Sequence, residues 1–254
     1  MYLMRCFVNN WGDNLSSTLV KLIAGEIPVS VKQGFKVPPG ESVHLVLGSI
    51  LQWADKNAIV WGSGFISASS KMEHQPKEIH AVRGPKSYEK LLAQGISCPK
   101  VFGDPSLLYP MFYKPKKIKK KYELGIIPHY VDKKVPIVKA LQDKDDILVI
   151  DIQGSINQVV DDIYSCEQVA SSCLHGIICA DAYGIPSTWI KLSDRVIGKG
   201  FKFRDYFASV GRKDTEPLVM KEDVTVQQIL DQFYDYKIDI DLDKMYNVCP
   251  FKRK

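Results

Sequence analysis

The sequence lacks the features that would place it in a membrane or a secretory pathway. It has no apolar run near the roughly 18 residues that a membrane-spanning helix needs, so we expect no helix that crosses a bilayer. The stretch from Met1 to Asn10 also lacks the charged start and the long apolar segment of a signal peptide. These absences favour a cytoplasmic protein.

Its cysteines lack the spacing of a metal site, because no two of them form a CxxC pair. The six are Cys6, Cys98, Cys166, Cys173, Cys179 and Cys249. Most lie in apolar surroundings, which favours buried free thiols in a reducing compartment over a disulfide framework. No other cluster of metal-ligand residues is visible, so we expect no metal ion.

A strong charge of one sign is missing as well. The 34 Lys and Arg against 29 Asp and Glu leave a net charge of +5, which does not require a nucleic-acid partner. Aromatic residues do not alternate with basic ones, and this weighs against a nucleic-acid reader. The modest positive excess fits a site that handles anions.

Short apolar segments alternate with helical patterns along the whole chain. This alternation predicts an α/β fold with parallel sheets that helices cover on both faces. The predicted strands are 3–8, 43–47, 58–61, 79–82, a short one around Val101, 124–127, 147–150, 169–171 and 187–191. The predicted helices are 15–23, 86–94, 156–165, 174–183 and a final one that starts at the capping box of Thr225 and Gln228 and runs to Tyr234.

A lysine run, Lys-Pro-Lys-Lys-Ile-Lys-Lys-Lys at 114–121, interrupts the alternation. Six lysines and a proline cannot bury themselves, so this run reads as a solvated linker. It divides the chain into an N-terminal α/β domain, 1–113, and a C-terminal α/β domain, 122–254. The alternative is a basic patch that holds the protein against anionic lipid. Either way, a cleft between the halves is expected to bind ligands beyond the carboxyl ends of the strands.

Two glycine-containing turns follow strands in the first half. Gly12-Asp13-Asn14 supplies a tight turn and N-cap residues, and the helix amides behind it could receive an anion. Trp61-Gly62-Ser63-Gly64 lets a ligand approach the backbone closely, although such turns are common without any ligand.

Two further turns contain charged residues. Arg83-Gly84-Pro85-Lys86-Ser87 places an arginine at a strand end before a helix, where it suits bidentate capture of a carboxylate or phosphate. A surface ion pair is the plainer alternative. Gly103-Asp104-Pro105-Ser106 is typical of a turn whose carboxylate holds its own loop.

The most informative turn is Ser171-Ser172-Cys173-Leu174-His175-Gly176. His175 lies in the first turn of a helix that follows a buried strand, where the helix dipole and unpaired amides gather an anion. An imidazole there can exchange a proton beside a bound phosphate. The same dipole would lower its pKa.

Taken in order, these five motifs and the later Tyr183-Gly184-Ile185-Pro186 resemble the polysaccharide pyruvyl transferase family. The resemblance covers about residues 8 to 192 and is nearest to the branch of bacterial exopolysaccharide assembly. It implies two Rossmann-like halves facing a central cleft, similar to a GT-B glycosyltransferase. It also implies phosphoenolpyruvate as the pyruvyl donor, with no further cofactor, and a cyclic ketal as the product.

The resemblance assigns roles to particular residues. Arg83 matches the arginine that binds the donor anion, and His175 matches the proposed acid catalyst. The wider donor-binding set comprises Gly62, Ser63, Gly64, Ser171 and Ser172. Asp13 and Asn14 are expected to hydrogen-bond the saccharide acceptor, and we expect this acceptor to be lipid-linked at the inner face of the membrane.

One position departs from the family pattern. Many members have an arginine two residues before the histidine, as a second donor ligand, whereas this chain has Cys173. A thiol removes a charge and a bidentate fork. The candidates to replace that cation are Lys191, Arg204 and His129.

Two other functions remain open. A nucleotide-sugar-dependent glycosyltransferase would use similar turns, with Asp181 as the acidic residue that grips the ribose of its donor. A non-catalytic relative would only bind glycan or a partner.

Overall fold

Two five-stranded parallel sheets carry the two halves of the chain. The computed structural model of the protein describes residues 1–116 and 119–253. The first sheet has the order β2-β1-β3-β4-β5, with β1 Tyr2–Met4, β2 Val29–Val31, β3 Val43–Leu45, β4 Ala58–Trp61 and β5 Glu78–Ala81. The second has the order β10-β9-β8-β6-β7, with β6 Tyr122–Ile127, β7 Ile147–Val149, β8 Cys166–Ser171, β9 Ser187–Lys191 and β10 Leu218–Val219.

In the second sheet an α-helix lies between every pair of consecutive strands; in the first sheet, among the described residues, one lies only between β1 and β2, and further helices follow the last strand of each sheet. The helices are α1 Trp11–Ala24, α2 Pro85–Leu92, α3 Pro136–Gln142, α4 Ile156–Tyr164, α5 Leu174–Ala182, α6 Phe201–Ser209, α7 Val226–Leu230 and α8 Leu242–Asn247. The α/β class and the two parallel sheets that the sequence predicts are confirmed. Among the described residues, no helix has the length and apolar character to cross a membrane.

The start of α1 differs from its prediction. The N-cap is Asn10, whose side chain accepts a hydrogen bond from the amide of Asp13, so Gly12 and Asp13 lie inside the first turn of the helix. The side-chain carbonyl of Asn10 satisfies an amide that would otherwise have no partner, so the helix starts at Trp11, four residues earlier than predicted. Gly25 closes the helix in the left-handed conformation.

Several other elements also differ. The strand predicted to run to Val8 ends at Met4, and the strand expected near Val101 is one isolated bridge between Val82 and Phe102. The helix that begins at the predicted capping box stops at Leu230 because the backbone turns there. No pattern in the sequence predicted β2, β10, α3, α6 or α8.

The core continues across both halves. Trp11 at the start of α1 packs in one cluster with Ile152 and Val159 of the second half, and its amide donates to the Ile152 carbonyl at 2.8 Å. The indole of Trp61 donates to the carbonyl of Met245 at 2.9 Å, so α8 lies against the first half. The predicted boundaries remain a prediction; the linker includes residues 117 and 118, and the second domain includes residue 254, which lie outside the described residues.

Candidate functional site

Turns from both sheets meet around a cleft of about 160 Å³. The start of α1 and the turn after β3 form one side, and the turns after β6 and β8 form the other. The segment between β9 and α6 closes it. Its polar lining includes Asn10, Asp13, Ser49, His129, Tyr130, Cys173, His175, Arg195 and Lys202. The fold thus brings together the first and last of the five sequence motifs. The cleft that they line lies beyond the carboxyl ends of the strands, where ligands were expected to bind.

Asn10 connects His175 to Asp13. The Asn10 Oδ1 lies 3.0 Å from Nδ1 of His175 and also accepts the amide of Asp13, while Asn10 Nδ2 donates to the Asp13 carboxylate. Because Oδ1 only accepts, Nδ1 of His175 holds a proton, and the neutral ring has its lone pair on Nε2. The amide thereby fixes both the tautomer and the ring orientation.

The imidazole of His175 is neutral in this cleft at pH 7. Burial lowers the pKa of His175 to about 3, and the positive charges of Lys202 and Arg83 lower it in the same direction. A bound anion would offset those charges and raise this pKa, because it favours the protonated ring. A proton-donating role for His175 therefore depends on an anion in the cleft.

Gly12 leaves the space that the imidazole occupies. A Cβ at Gly12 would lie 2.3 Å from Cδ2 of His175, nearer than any van der Waals contact allows. The glycine of the first motif is thus explained by the histidine of the last one.

Gly12→Ala is expected to displace the ring of His175 and to lower turnover, with a net loss of stability of at most about 2 kcal/mol, since the clash costs about 1–3 kcal/mol. Alanine favours the helical backbone by about 1 kcal/mol over glycine, so α1 itself gains. Turnover and the thermal midpoint of unfolding would be measured beside Ser17→Ala, a matched change on the same helix. Unchanged turnover in Gly12→Ala would show that the imidazole tolerates the added methyl group.

Asp13 carries a carboxyl group with an unusual protonation equilibrium. Burial raises the pKa of Asp13 from 3.8 to about 7, against the opposing effects of Asn10 and of the cations Arg5 and Lys202. Its Oδ2 accepts from Asn10, whereas Oδ1 has no hydrogen-bond partner among the described residues and lies beside Gly48 at the cleft. The free oxygen can accept a hydrogen bond or a proton from a ligand near neutral pH.

Asp13→Asn is expected to stabilise the fold above pH 7 and to leave it unchanged below about pH 4. Between 3.8 and about 7 the folded carboxyl holds a proton that the unfolded chain releases, so wild-type stability falls as pH rises. The difference grows by up to about 1.4 kcal/mol per pH unit. Urea unfolding at several pH values measures it; a pH-independent difference would contradict the raised pKa.

Two cations line the cleft, and sequence reasoning missed both. Lys202 lies on α6, and Arg195 lies on the segment before it. Burial lowers the pKa of Lys202, and within the described part of the chain its ammonium makes no hydrogen bond or ion pair. The apolar residues of α6, in the sequence Phe-Lys-Phe-Arg-Asp-Tyr-Phe, do not follow a clean helical period. The helix was therefore not predicted, and Lys202 was not recognised as a site residue.

Arg83 lies behind the cleft wall and is fully buried. Its Nε and Nη2 bond to Asp205 of α6, Nη1 donates to Ser49 Oγ at 2.7 Å, and Nη2 donates to the Phe65 carbonyl at 2.7 Å. Asp205 also accepts from the amide and the hydroxyl of Ser87 in the first turn of α2. The anion expected at that helix start is thus an internal carboxylate, while the donor-binding role of Arg83 remains a prediction.

The glycine turn after β4 shapes the wall around Arg83. A Cβ at Gly64 would lie 2.5 Å from the Arg83 guanidinium, and one at Gly62 would lie 2.2 Å from Pro105 of the Gly103-Asp104-Pro105 turn. Ser63 is buried and donates to the Gly48 carbonyl. These three residues contact other turns of the fold and do not line the cleft.

The remaining predicted residues lie around the cleft or outside it. Ser171 Oγ donates within its own turn, and Ser172 Oγ accepts the amide of His129, so both hold the strand ends together. Asn14 donates to Asn9, away from the cleft lining. Lys191 and Arg204 line a second cavity of about 520 Å³.

Asp181 lies in an internal network rather than in the cleft. Its carboxylate accepts hydrogen bonds from Arg212, Tyr206, Tyr236 and Ser187. The carboxylate that would grip a ribose in a nucleotide-sugar enzyme is therefore occupied by the protein itself.

Relatives of the chain come from a virus and a bacterium. An uncharacterized protein, L143, of Acanthamoeba polyphaga mimivirus is 35% identical over 171 residues, which are 65% of this chain and 59% of the relative. The succinoglycan biosynthesis protein ExoV of Rhizobium meliloti (strain 1021) is 26% identical over 208 residues, which are 80% of this chain and 62% of the relative. The chain thus spans about 60% of the length of these curated relatives.

No solved structure matches the chain. The family model for polysaccharide pyruvyl transferases matches residues 43–194, more than half of the chain. This range includes four of the five motifs and the helix that bears His175. The chain belongs to the polysaccharide pyruvyl transferase family.

Proposed function

We propose that the chain transfers the pyruvyl group of phosphoenolpyruvate to a sugar of a surface or exopolysaccharide glycan and forms a cyclic ketal. The observation that carries this proposal is the juxtaposition, in one cleft, of His175, Asp13 and the cations Lys202 and Arg195. The family supports a saccharide acceptor, and a relative named for succinoglycan biosynthesis supports a polysaccharide.

The reaction sets the demands on the site. Protonation of the methylene carbon of phosphoenolpyruvate gives a methyl group and an oxocarbenium-like centre, which one sugar hydroxyl attacks. A second hydroxyl of the same sugar then displaces phosphate and closes the ketal. Two hydroxyl protons leave the acceptor; in the net balance one is matched by the proton on the new methyl group and the other by a proton on phosphate. The site must supply and accept protons and neutralise a trianion.

The cleft residues divide these tasks. Lys202 neutralises anionic oxygens of phosphoenolpyruvate. The bound trianion raises the pKa of His175, so that the ring can protonate the methylene carbon. The free Oδ1 of Asp13 binds an acceptor hydroxyl and accepts its proton, for which a pKa of about 7 is well placed near neutral pH.

The acceptor is proposed to be a lipid-linked precursor at the inner face of the membrane. The lysine run at 114–121 would favour contact with anionic lipid, with roughly 1 kcal/mol per lysine near the surface. Residues 117 and 118 of this run lie outside the described residues.

The decisive experiment offers the protein phosphoenolpyruvate or a panel of nucleotide sugars, each with extracted lipid-linked oligosaccharides. Phosphate release that depends on both phosphoenolpyruvate and the acceptor is expected. Transfer from a nucleotide sugar would establish the glycosyltransferase alternative, which the occupied carboxylate of Asp181 argues against. Acceptor binding without turnover of any donor would establish the non-catalytic alternative.

A further inference from the structure

Arg195 lies on the segment that separates the cleft between the two halves from the larger cavity of the second half. The segment from Leu192 to Gly200 connects β9 to α6, and its side chains divide between the two spaces. Arg195 and Ile197 line the cleft that contains His175, while Val196 and Lys199 line the larger cavity beside it. The guanidinium of Arg195 is about half exposed and faces the proposed binding site for phosphoenolpyruvate.

A buried carboxylate fixes one edge of this guanidinium. Asp132 is fully buried, and its Oδ1 accepts from Arg195 Nη2 at 3.2 Å and from the hydroxyl of Ser193 at 2.5 Å. Ser193 in turn accepts from Nε of Arg195 at 3.3 Å and from its amide at 3.1 Å. The Nε side of the fork is thereby held.

The opposite edge is available to a ligand. Nη1 of Arg195 has no hydrogen-bond partner among the described residues, and Nη2 has a second N–H beside it. A guanidinium that presents two parallel N–H groups matches two oxygens of a carboxylate or phosphate. Because Asp132 and Ser193 already order the side chain, binding loses less conformational entropy than it would with a free arginine.

The other candidate cations do not meet these conditions. Lys191 pairs with Asp194 at 2.5 Å, and Arg204 pairs with Glu216 at 2.8 Å, and both face the larger cavity. His129 lies in the cleft, but burial lowers its pKa to about 3, so it is uncharged at neutral pH.

The last candidate is Arg83. It is buried and each of its side-chain nitrogens already has a protein partner. In the described part of the chain, Lys202 and Arg195 are therefore the positive charges that line the cleft.

We propose that Arg195, anchored by Asp132 and Ser193, binds two oxygens of phosphoenolpyruvate as a bidentate cation beside Lys202. This inference rests on the proposed function, since it assigns a ligand of the same site. Arg195 would thus supply the bidentate cation that many family members have at the position of Cys173. It does so from a different element of the fold. Asp132 is a positioning residue, which acts only through Arg195.

Calorimetric titration with phosphoenolpyruvate alone tests this inference, because it needs no acceptor. Arg195→Gln is expected to weaken binding by about 10- to 100-fold, the usual worth of hydrogen bonds to a charged group. Arg195→Lys should recover part of that loss, since it keeps the charge but not the fork. Lys139→Gln on α3 removes one positive charge away from the cleft and should bind as the wild type does.

Three further measurements complete the test. Asp132→Asn should weaken binding less than Arg195→Gln does, because the guanidinium remains but is less ordered. If Arg195→Gln binds phosphoenolpyruvate with wild-type affinity, the assignment to Arg195 is overturned. A loss of affinity in Arg204→Gln would then assign the role to Arg204. A wild-type chain that binds nucleotide sugars but no phosphoenolpyruvate would overturn the proposed function, and this inference with it.

Discussion

Replacing His175 with alanine should lower kcat by about 10² to 10⁴, the usual contribution of a general acid or base. The ring lies in the first turn of α5, its Nδ1 is held by Asn10, and Gly12 leaves room for it. In the free cleft it is neutral, so the variant removes no charge and little affinity for phosphoenolpyruvate should be lost. Turnover is measured as phosphate release with the acceptor that supports it, and affinity by titration.

His175→Gln separates proton transfer from simple positioning. An amide can still bond to Asn10 but cannot surrender a proton, so it should not restore turnover. The pH profiles give a second readout. Because the ring has a pKa of about 3 without ligand, kcat/KM should fall as pH rises through the whole neutral range, with no break there. The kcat profile should instead break at the raised pKa of the ring in the complex and fall above it. Recovery of turnover by glutamine would assign His175 to orienting phosphate alone.

The sequence predicted the turns at the ends of strands better than it predicted the long-range contacts that those turns make. Turn residues such as Gly62 and Gly184 have a positive φ, so local sterics favour glycine at these positions and a local pattern can reveal them. The position of His175 at a helix start could be predicted from the sequence for the same reason, and the bounds of α5 confirm it. The match of Gly12 to the imidazole was not accessible, because the two residues are 163 positions apart and only the folded chain brings them together.

Residues missed by sequence reasoning lie on elements without a local signal. Helix α6 starts after Gly200 without a side-chain cap, and it carries Lys202 toward the cleft and Asp205 toward Arg83. Arg195 lies in a loop, where its anchor to Asp132 depends on the turn after β6. Long-range charge pairing of this kind leaves no periodic pattern in a sequence.

Arg83 has two testable roles, and the ion pair with Asp205 separates them. As a ligand of phosphoenolpyruvate, Arg83 should tolerate lysine poorly, and Arg83→Lys should raise the KM for phosphoenolpyruvate strongly while the fold persists. If Arg83 instead only connects α6 to the start of α2 through Asp205, Arg83→Lys should lower the free energy of unfolding and leave the KM unchanged. An unchanged KM in a folded Arg83→Lys variant would leave only the internal role.

Asp205→Ala should lower the free energy of unfolding by about 3–5 kcal/mol, because it leaves the Arg83 guanidinium buried without its counter-charge. The ion-pair distance is 2.9 Å and both side chains are essentially unexposed, so solvent cannot replace the lost carboxylate. The amide and hydroxyl of Ser87 would lose their acceptor as well. Urea unfolding measures the loss, with Asp194→Ala, an exposed carboxylate, as the control.

A double variant, Arg83→Met with Asp205→Leu, tests whether the loss arises from the unpaired charge. Removing both charges together avoids the stranded guanidinium, so stability should recover to within about 1–2 kcal/mol of the wild type, with Ser87 still lacking an acceptor. The coupling energy from the full cycle of single and double variants should be correspondingly large. If Asp205→Ala unfolds as easily as the double variant does, the unpaired charge is not the source of the loss, and lost packing and the missing acceptor of Ser87 would explain it.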